Sequence, residues 1–313
     1  MDLRSLLTSQ PKLESNGVLD FVVDGAEDYC GNFGDQWNRF RSIQIDSLSG
    51  KSESRDRFFA ETGWKPEDLK DKVVLDAGCG AGRFAEIAME SGAYLIAADV
   101  STAVTACRET LSRFPADRYL ILRADLFNLP LKPDSFDGIY SLGVLQHTPD
   151  PLGAIKQLAG FLKPGGTLAT WIYEIKDSHL RMLQPRLWIR AMTARWSLKA
   201  KLTMSRILTA LFFPLGWILS WFGRTGQRLS YFLPYACRHH LGRGSWTRQW
   251  DYCVMDTFDW YGAQYELSQR EADVLKTYEE AGLHDIHRTP ARGMAIVGTA
   301  PLNASVKAGG THG

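Results

Sequence analysis

Between residues 71 and 176, short apolar runs recur at intervals that leave room for a helix between them. Lys72–Ala77 (KVVLDA), Tyr94–Asp99, Tyr119–Arg123, Phe136–Ser141 and Thr167–Tyr173 are rich in Val, Ile, Leu and Tyr, and they predict five strands. The stretches Arg83–Ser91, Ala103–Arg113 and about Pro151–Leu162 have helical patterning. Strands that alternate with helices of this length imply parallel pairing, with helices on both faces of one sheet. Ligands of such sheets sit beyond the carboxyl ends of the strands, at the topological switch point.

The rest of the chain changes texture three times. Residues 1–70 are expected to be an N-terminal helical leader or cap, with QWNRFRSIQIDSL as its clearest helix. Residues 177–250 are expected to be a basic, aromatic helical insertion. Residues 251–300 should complete the sheet with a helix and two edge strands near Asp285–Arg288 and Met294–Thr299, and residues 301–313 read as a flexible tail. No internal repeat is visible. Composition adds little: 45% hydrophobic and 23% charged residues with a net charge of +1 suit an ordinary globular chain of 313 residues. The five cysteines lack a CxxC pair, and MDLRSLLTSQPKLE lacks the apolar run of a signal peptide, so reduced thiols and a cytoplasmic location are expected.

The densest chemistry is Val73-Val74-Leu75-Asp76-Ala77-Gly78-Cys79-Gly80-Ala81-Gly82-Arg83-Phe84, a buried strand running into a glycine turn that opens a helix. Gly78 and Gly80 allow backbone geometry and a close approach that a Cβ would block. Asp99 ends the next strand, 23 positions after Asp76, where a carboxylate can accept from both hydroxyls of a ribose. Asp125 follows the third strand and can face an adenine amino group, with Leu126 against the ring. A nicotinamide or flavin dinucleotide is the rival, but it favours G-x-G-x-x-G, and Arg83 stands at the third glycine. Asp76 would also set an anion beside a pyrophosphate, whereas a cationic nucleoside without phosphate tolerates it.

Together these residues resemble the class I S-adenosylmethionine-dependent methyltransferases, in particular the ubiquinone/menaquinone C-methyltransferase-like (methyltransferase type 11) group. VLDAGCGAGRF resembles the first motif, SFDGIYSLGVLQHTPDP (Ser135–Pro151) the fourth-strand motif, and FLKPGGTLA (Phe161–Ala169) the turn before the fifth strand. The resemblance covers about residues 71–176, and residues 268–300 more loosely. It implies a Rossmann-like seven-stranded sheet of order 3-2-1-4-5-7-6, with a helical insertion after strand 5. It further implies S-adenosylmethionine as cofactor: Asp76, Gly78 and Gly80 at the methionine end, Asp99 at the ribose, and Asp125 with Leu126 at the adenine. Val100, beside Asp99, and Ser141 and Leu142, at the end of the fourth strand, complete the expected set.

Transfer from a sulfonium is an in-line displacement in which the protein chiefly aligns the reacting atoms. A base is needed only for an acceptor that carries a proton. His147, just past the fourth strand, is the best candidate; the bland alternative is a histidine bonded to backbone. His239 and His240 lie near Cys237, with Cys253 further on, but a second compact pair is missing, so no metal site is expected. The Asn/Asp-Pro-Pro-aromatic loop of amino-methylating nucleic-acid enzymes and the Pro-Cys of pyrimidine C5 enzymes are both absent.

From Ser178 to Trp250 there are twelve Lys or Arg and no Asp or Glu, and the 17 residues between Arg206 and Arg224 are uncharged and rich in Phe and Trp. This suits a lid over a small or lipid-like acceptor, peripheral contact with the inner face of a membrane, or both; nucleic acid is the weakest reading. A spanning helix is disfavoured by the short run and by Pro214 and Gly216. Trp37 in the leader, with Phe33, Gln36 and Arg41, could cover the cofactor, and Asp256, Trp260 and Tyr261 could line an acceptor pocket. The rival functions are an NAD(P)-binding oxidoreductase and a noncatalytic S-adenosylmethionine-binding scaffold.

Overall fold

The computed structural model describes residues 1–22, 31–175, 184–236 and 246–302, with side chains described for all of them except residues 31–33, 35, 36 and 39. Two compact units emerge: residues 1–38, 44–175 and 265–313, and residues 39–43 with 176–264.

The first unit is built on a nine-stranded sheet. Its strands are β1 (Leu13–Ser15), β2 (Val18–Asp20), β3 (Val73–Ala77), β4 (Tyr94–Asp99), β5 (Tyr119–Arg123), β6 (Phe136–Leu142), β7 (Leu162–Ile172), β8 (His284–Arg288) and β9 (Met294–Thr299). They lie side by side in the order β1-β2-β5-β4-β3-β6-β7-β9-β8. The strands β2 to β7 pair in parallel; β1 and the β8/β9 pair close the two edges antiparallel. Order reverses between β3 and β6, so the switch point lies at the carboxyl ends of these two strands, with the end of β4 alongside.

Alternating side chains divide the core in two. Leu75, Ile96, Leu122 and Ile139 face one layer with Ile155, Leu158 and Tyr278. Val74, Leu95, Ile121 and Tyr140 face the other with Phe58, Ile87 and Cys107. The strands are covered on both sides, which is why they read as continuous apolar runs.

Two expectations about this unit need correction. The sheet has nine strands instead of seven, because residues 13–20 are a hairpin and not part of a helical leader. Asn16 and Gly17 both take positive φ (51° and 75°), which closes a two-residue turn whose twist matches the strands. An ion pair from Asp20 to Arg123 (2.9 Å) then ties β2 to β5. The second correction concerns the Lys163–Gly166 turn, which lies inside β7. Leu162 pairs with Phe136 and Thr167 with Gly138, so the turn is absorbed as a bulge between them.

The second unit is helical: Pro185–Thr193, Leu198–Ser220, Gly223–Ser230 and Trp246–Gly262. Ser197 caps the longest helix, accepting from the Ala200 N–H through its hydroxyl. The Trp246–Gly262 helix packs against it through Phe213, Trp246 and Trp250. Residues 250–264 therefore belong to this unit, and the return to the sheet begins at Tyr265 instead of 251. The apolar run is also longer than expected. Helix continues through Pro214 for 23 residues, long and apolar enough by length and composition to cross a membrane.

Candidate functional site

Asp76 is the next-to-last residue of β3, and its carboxyl is buried to 2% exposure. Its Oδ2 has no hydrogen-bond partner. Desolvation, with a lesser contribution from the charge of Asp99, pushes its pKa up to about 8, against a lowering by the nearby Tyr140 hydroxyl. That hydroxyl is itself buried and makes no regular hydrogen bond. An orphaned carboxyl here is a cost unless a ligand donor or cation meets it.

The turn after β3 is held by β4. The N–H groups of Gly78 and Cys79 donate to the Ala98 carbonyl (2.8 and 3.0 Å). Gly78 has φ +91°, and a Cβ on it would come within 2.4 Å of the Val144 side chain. Glycine at 78 thus lets the loop after β6 approach the turn.

Asp99 closes the arrangement. Its Oδ2 accepts from the Gly80 N–H (2.9 Å), and its Oδ1 from the Ser101 N–H and hydroxyl (2.8 and 2.6 Å). Burial raises its pKa, and these three bonds work against that rise. The carboxylate is thereby fixed in orientation, with acceptor capacity left on Oδ2. The Trp37 ring lies about 3.4 Å from where a Cβ of Gly80 would stand, so this leader residue does cover the glycine turn. The side chains of Phe33 and Gln36 lie outside the described residues, and Arg41 belongs to the other unit.

Asp125 caps the short turn Leu126–Asn128, accepting from the Phe127 N–H (3.2 Å) and from the Asn128 amide (3.2 Å), and Leu126 is buried beneath it. Val100 is half-buried beside Asp99. Ser141 is fully buried, and its hydroxyl donates to the Ala77 carbonyl (2.7 Å), a bond that joins β6 to β3. Leu142 is buried beside it. Nδ1 of His147 lies 2.9 Å from the Tyr265 carbonyl, which can only accept, so Nδ1 carries the hydrogen and the imidazole lone pair is on Nε2. The ring also meets Tyr173 edge-on.

The expected acceptor-side residues belong to the other unit. The Tyr261 hydroxyl donates to the Pro234 carbonyl (2.8 Å), and the side chain is buried within the helical unit. Trp260 carries the Arg186 guanidinium 4.9 Å above its ring, and Asp256 is half-buried on the same helix. Cys237, His239 and His240 lie outside the described residues, and among the described residues no cluster of three His, Cys, Asp or Glu could hold a metal ion.

Three residues of this region escaped the sequence reading: Tyr140, Ser101 and Gln146. The Gln146 amide is fully buried beside His147, and neither its nitrogen nor its oxygen has a partner. Only Ser101 left a trace, as a hydroxyl two residues after an acid.

Residues 75–170 match the family described as methyltransferase domain. Those residues are a class I, S-adenosylmethionine-dependent methyltransferase domain. Over 98 residues the chain is 37% identical to a ubiquinone biosynthesis O-methyltransferase of Xanthomonas campestris, covering 30% of this chain and 40% of that protein. It is 34% identical over 104 residues to a tRNA U34 carboxymethyltransferase of Pseudoalteromonas atlantica, covering 33% and 32%. Among solved structures it resembles the phosphoethanolamine N-methyltransferase 2 of Haemonchus contortus in complex with S-adenosyl-L-methionine, with TM-score 0.45, 15% identity and coverage of 82% and 45%. The chain spans half or less of the length of the curated relatives it matches.

Proposed function

We propose that this methyltransferase domain serves transfer of a methyl group from S-adenosylmethionine to a small or lipid-like acceptor. One observation carries the reading: the buried, unpartnered Asp76 carboxyl beside Asp99, at the switch point of the sheet. Once Asp76 is ionised, this pair suits a nucleoside that brings its own positive charge and repels a pyrophosphate.

Bound S-adenosylmethionine supplies a methyl group already activated on a sulfonium. Asp76, once ionised, would hold the methionine ammonium. Asp99, oriented by Gly80 and Ser101, would accept from the ribose hydroxyls. Asp125 and Leu126 would border the adenine, and Trp37 would shield the glycine turn from water. With hydrogen on Nδ1, His147 has its basic nitrogen at Nε2, the atom that would take a proton from an O–H or N–H acceptor. A C- or S-nucleophile that is already anionic would leave His147 a positioning role.

The acceptor class rests on the basic, aromatic second unit and on the quinone pathway in one relative's name. Another relative is a tRNA enzyme, so RNA belongs among the acceptors assayed.

Titration calorimetry of the full chain with S-adenosylhomocysteine and with NADH tests the cofactor. The expected result is micromolar binding of the former and none of the latter, with Asp99→Ala weakening it by about a hundredfold, or ~3 kcal/mol. Tighter binding of NADH would overturn the proposal. Labelled methyl transfer into a lipid extract, compared with total RNA, tests the acceptor.

A further inference from the structure

From Ile207 onward, the helix Leu198–Ser220 exposes an apolar face, while most of its buried positions are polar or small. Its buried positions include Lys201, Ser205, Thr209 and Gly216, with Phe213 as the large apolar exception. Its exposed large apolar residues from 207 onward are Ile207 (54%), Leu211 (66%), Leu215 (44%) and Ile218 (47%), and the exposed apolar residues continue past its end to Phe222 (64%). The spacings of four, four and three put the helical side chains among these on one face. A helix of a water-soluble fold buries such a stripe against its core; here the core takes the other side. Thirteen of the eighteen exposed large hydrophobic residues of the described chain lie between Trp188 and Trp246.

Charge identifies what covers this face. Lys199, Arg206, Arg224 and Arg228 are all exposed, at the two ends of the stripe, and no acid occurs anywhere from Ser178 to Trp250. An apolar stripe bracketed by cations matches a lipid surface with anionic headgroups. It does not match a hydrophobic protein groove, for which the cations would be unpaired. Trp221, 73% exposed, and Trp196 supply rings of the kind that settle at the headgroup boundary.

Length and hydropathy would also permit crossing the bilayer, at about 34 Å for 23 residues. Packing argues against it. The inner face holds Lys201 and lies on the Trp246–Gly262 helix, which carries Asp251, Asp256 and Asp259. A crossing would drag these charges into hydrocarbon.

We infer that the helix Leu198–Ser220 lies flat in the headgroup region of an anionic bilayer, with the Ile207–Phe222 stripe immersed and the flanking cations on lipid phosphates. The inference does not depend on the cofactor or on the acceptor.

The test is flotation of the full chain with vesicles of phosphatidylcholine, with and without phosphatidylglycerol, in low and high salt. The natural sequence should float with the anionic vesicles, less so in high salt. Leu211→Glu with Leu215→Glu should cut the partition by about a hundredfold, at roughly tenfold per lost leucine. Circular dichroism and binding of S-adenosylhomocysteine, which reads the other unit, should be unchanged in this double variant. Arg224→Gln with Arg228→Gln is the milder variant, expected to weaken flotation several-fold only when phosphatidylglycerol is present. Three outcomes would each overturn the inference. One is no flotation of the natural sequence on anionic vesicles. Another is equal flotation of the glutamate variant while it remains folded. The third is a concentration-dependent dimer without lipid that the glutamate substitutions abolish.

Discussion

The two units treat the same side chains in opposite ways. In the sheet unit, Leu75, Leu95 and Ile121 are fully buried. In the helical unit, Leu211 and Leu215 point outward while Ser205 and Thr209 are buried. Leucine content says how much apolar surface a segment owns, but not which side the solvent takes. The sheet unit folds for water. The helical unit keeps an outward face that water disfavours, and such a face is retained when something else covers it.

Substitution of matched leucines is the sharpest way to break this contrast. Leu75→Ala should destabilise the protein by about 2–5 kcal/mol, through lost burial and a residual cavity. Leu211→Ala should move stability by no more than about 0.5 kcal/mol. Chemical denaturation of the two variants checks both, and equal losses would mean that Leu211 is a core residue after all.

A second pair of variants separates buried polar groups that serve a ligand from those that only fill space. The folded Asp76 carboxyl titrates near pH 8 and the unfolded one near 3.8. Between those values the folded chain keeps a proton that the unfolded chain has lost, so this residue makes stability fall as pH rises from about 4 to about 8. Asp76→Asn should remove that slope and stabilise the ligand-free protein at pH 8, while weakening S-adenosylhomocysteine binding by about tenfold or more. The hydroxyl of Thr209, buried without a hydrogen-bond partner, should behave differently. Thr209→Val should stabilise by about 1 kcal/mol and leave ligand binding untouched. Melting curves across pH, with calorimetry, read both variants.

The smallest effect concerns His147. Replacement by Ala should leave S-adenosylhomocysteine affinity unchanged and slow turnover by about tenfold to a hundredfold for an acceptor that must lose a proton. Unchanged turnover would assign His147 to holding the Tyr265 backbone.

Much of the sheet was legible because its strands are buried on both faces and therefore read as unbroken apolar runs. The strands from residue 73 onward lie as their alternation with helices suggested, and the β8/β9 pair forms the antiparallel edge. The N-terminal hairpin was not read, since three-residue strands are too short to show a period. Its one signal, Asn16-Gly17 between Ser15 and Val18, was present in the sequence. At the candidate site, the acids and glycines stood out as polar or small breaks at strand ends. Tyr140 and Gln146 did not, because each lies in an apolar stretch and only burial reveals the unpartnered atoms. In the helical unit, the run of Phe, Trp and Leu was plain, but its inside-out arrangement depends on which neighbour claims which face. The aromatic segment from Trp250 to Tyr265 allows two readings, side chains that line a pocket or ordinary aromatic packing, with packing slightly favoured. Packing is how Tyr252 and Tyr261 are used, each donating its hydroxyl to a carbonyl within its own unit.

The way the sheet ends bears on how copies of this protein can meet. At one side stands β1, three residues long; at the other, β8 is broken in register between His284 and His287, with Asp285 at φ 49° and Arg288 beyond. A row of backbone donors so short, or so kinked and charged, offers a poor template for a strand from another molecule. Neither edge therefore leaves much opening for fibre-like growth by added strands.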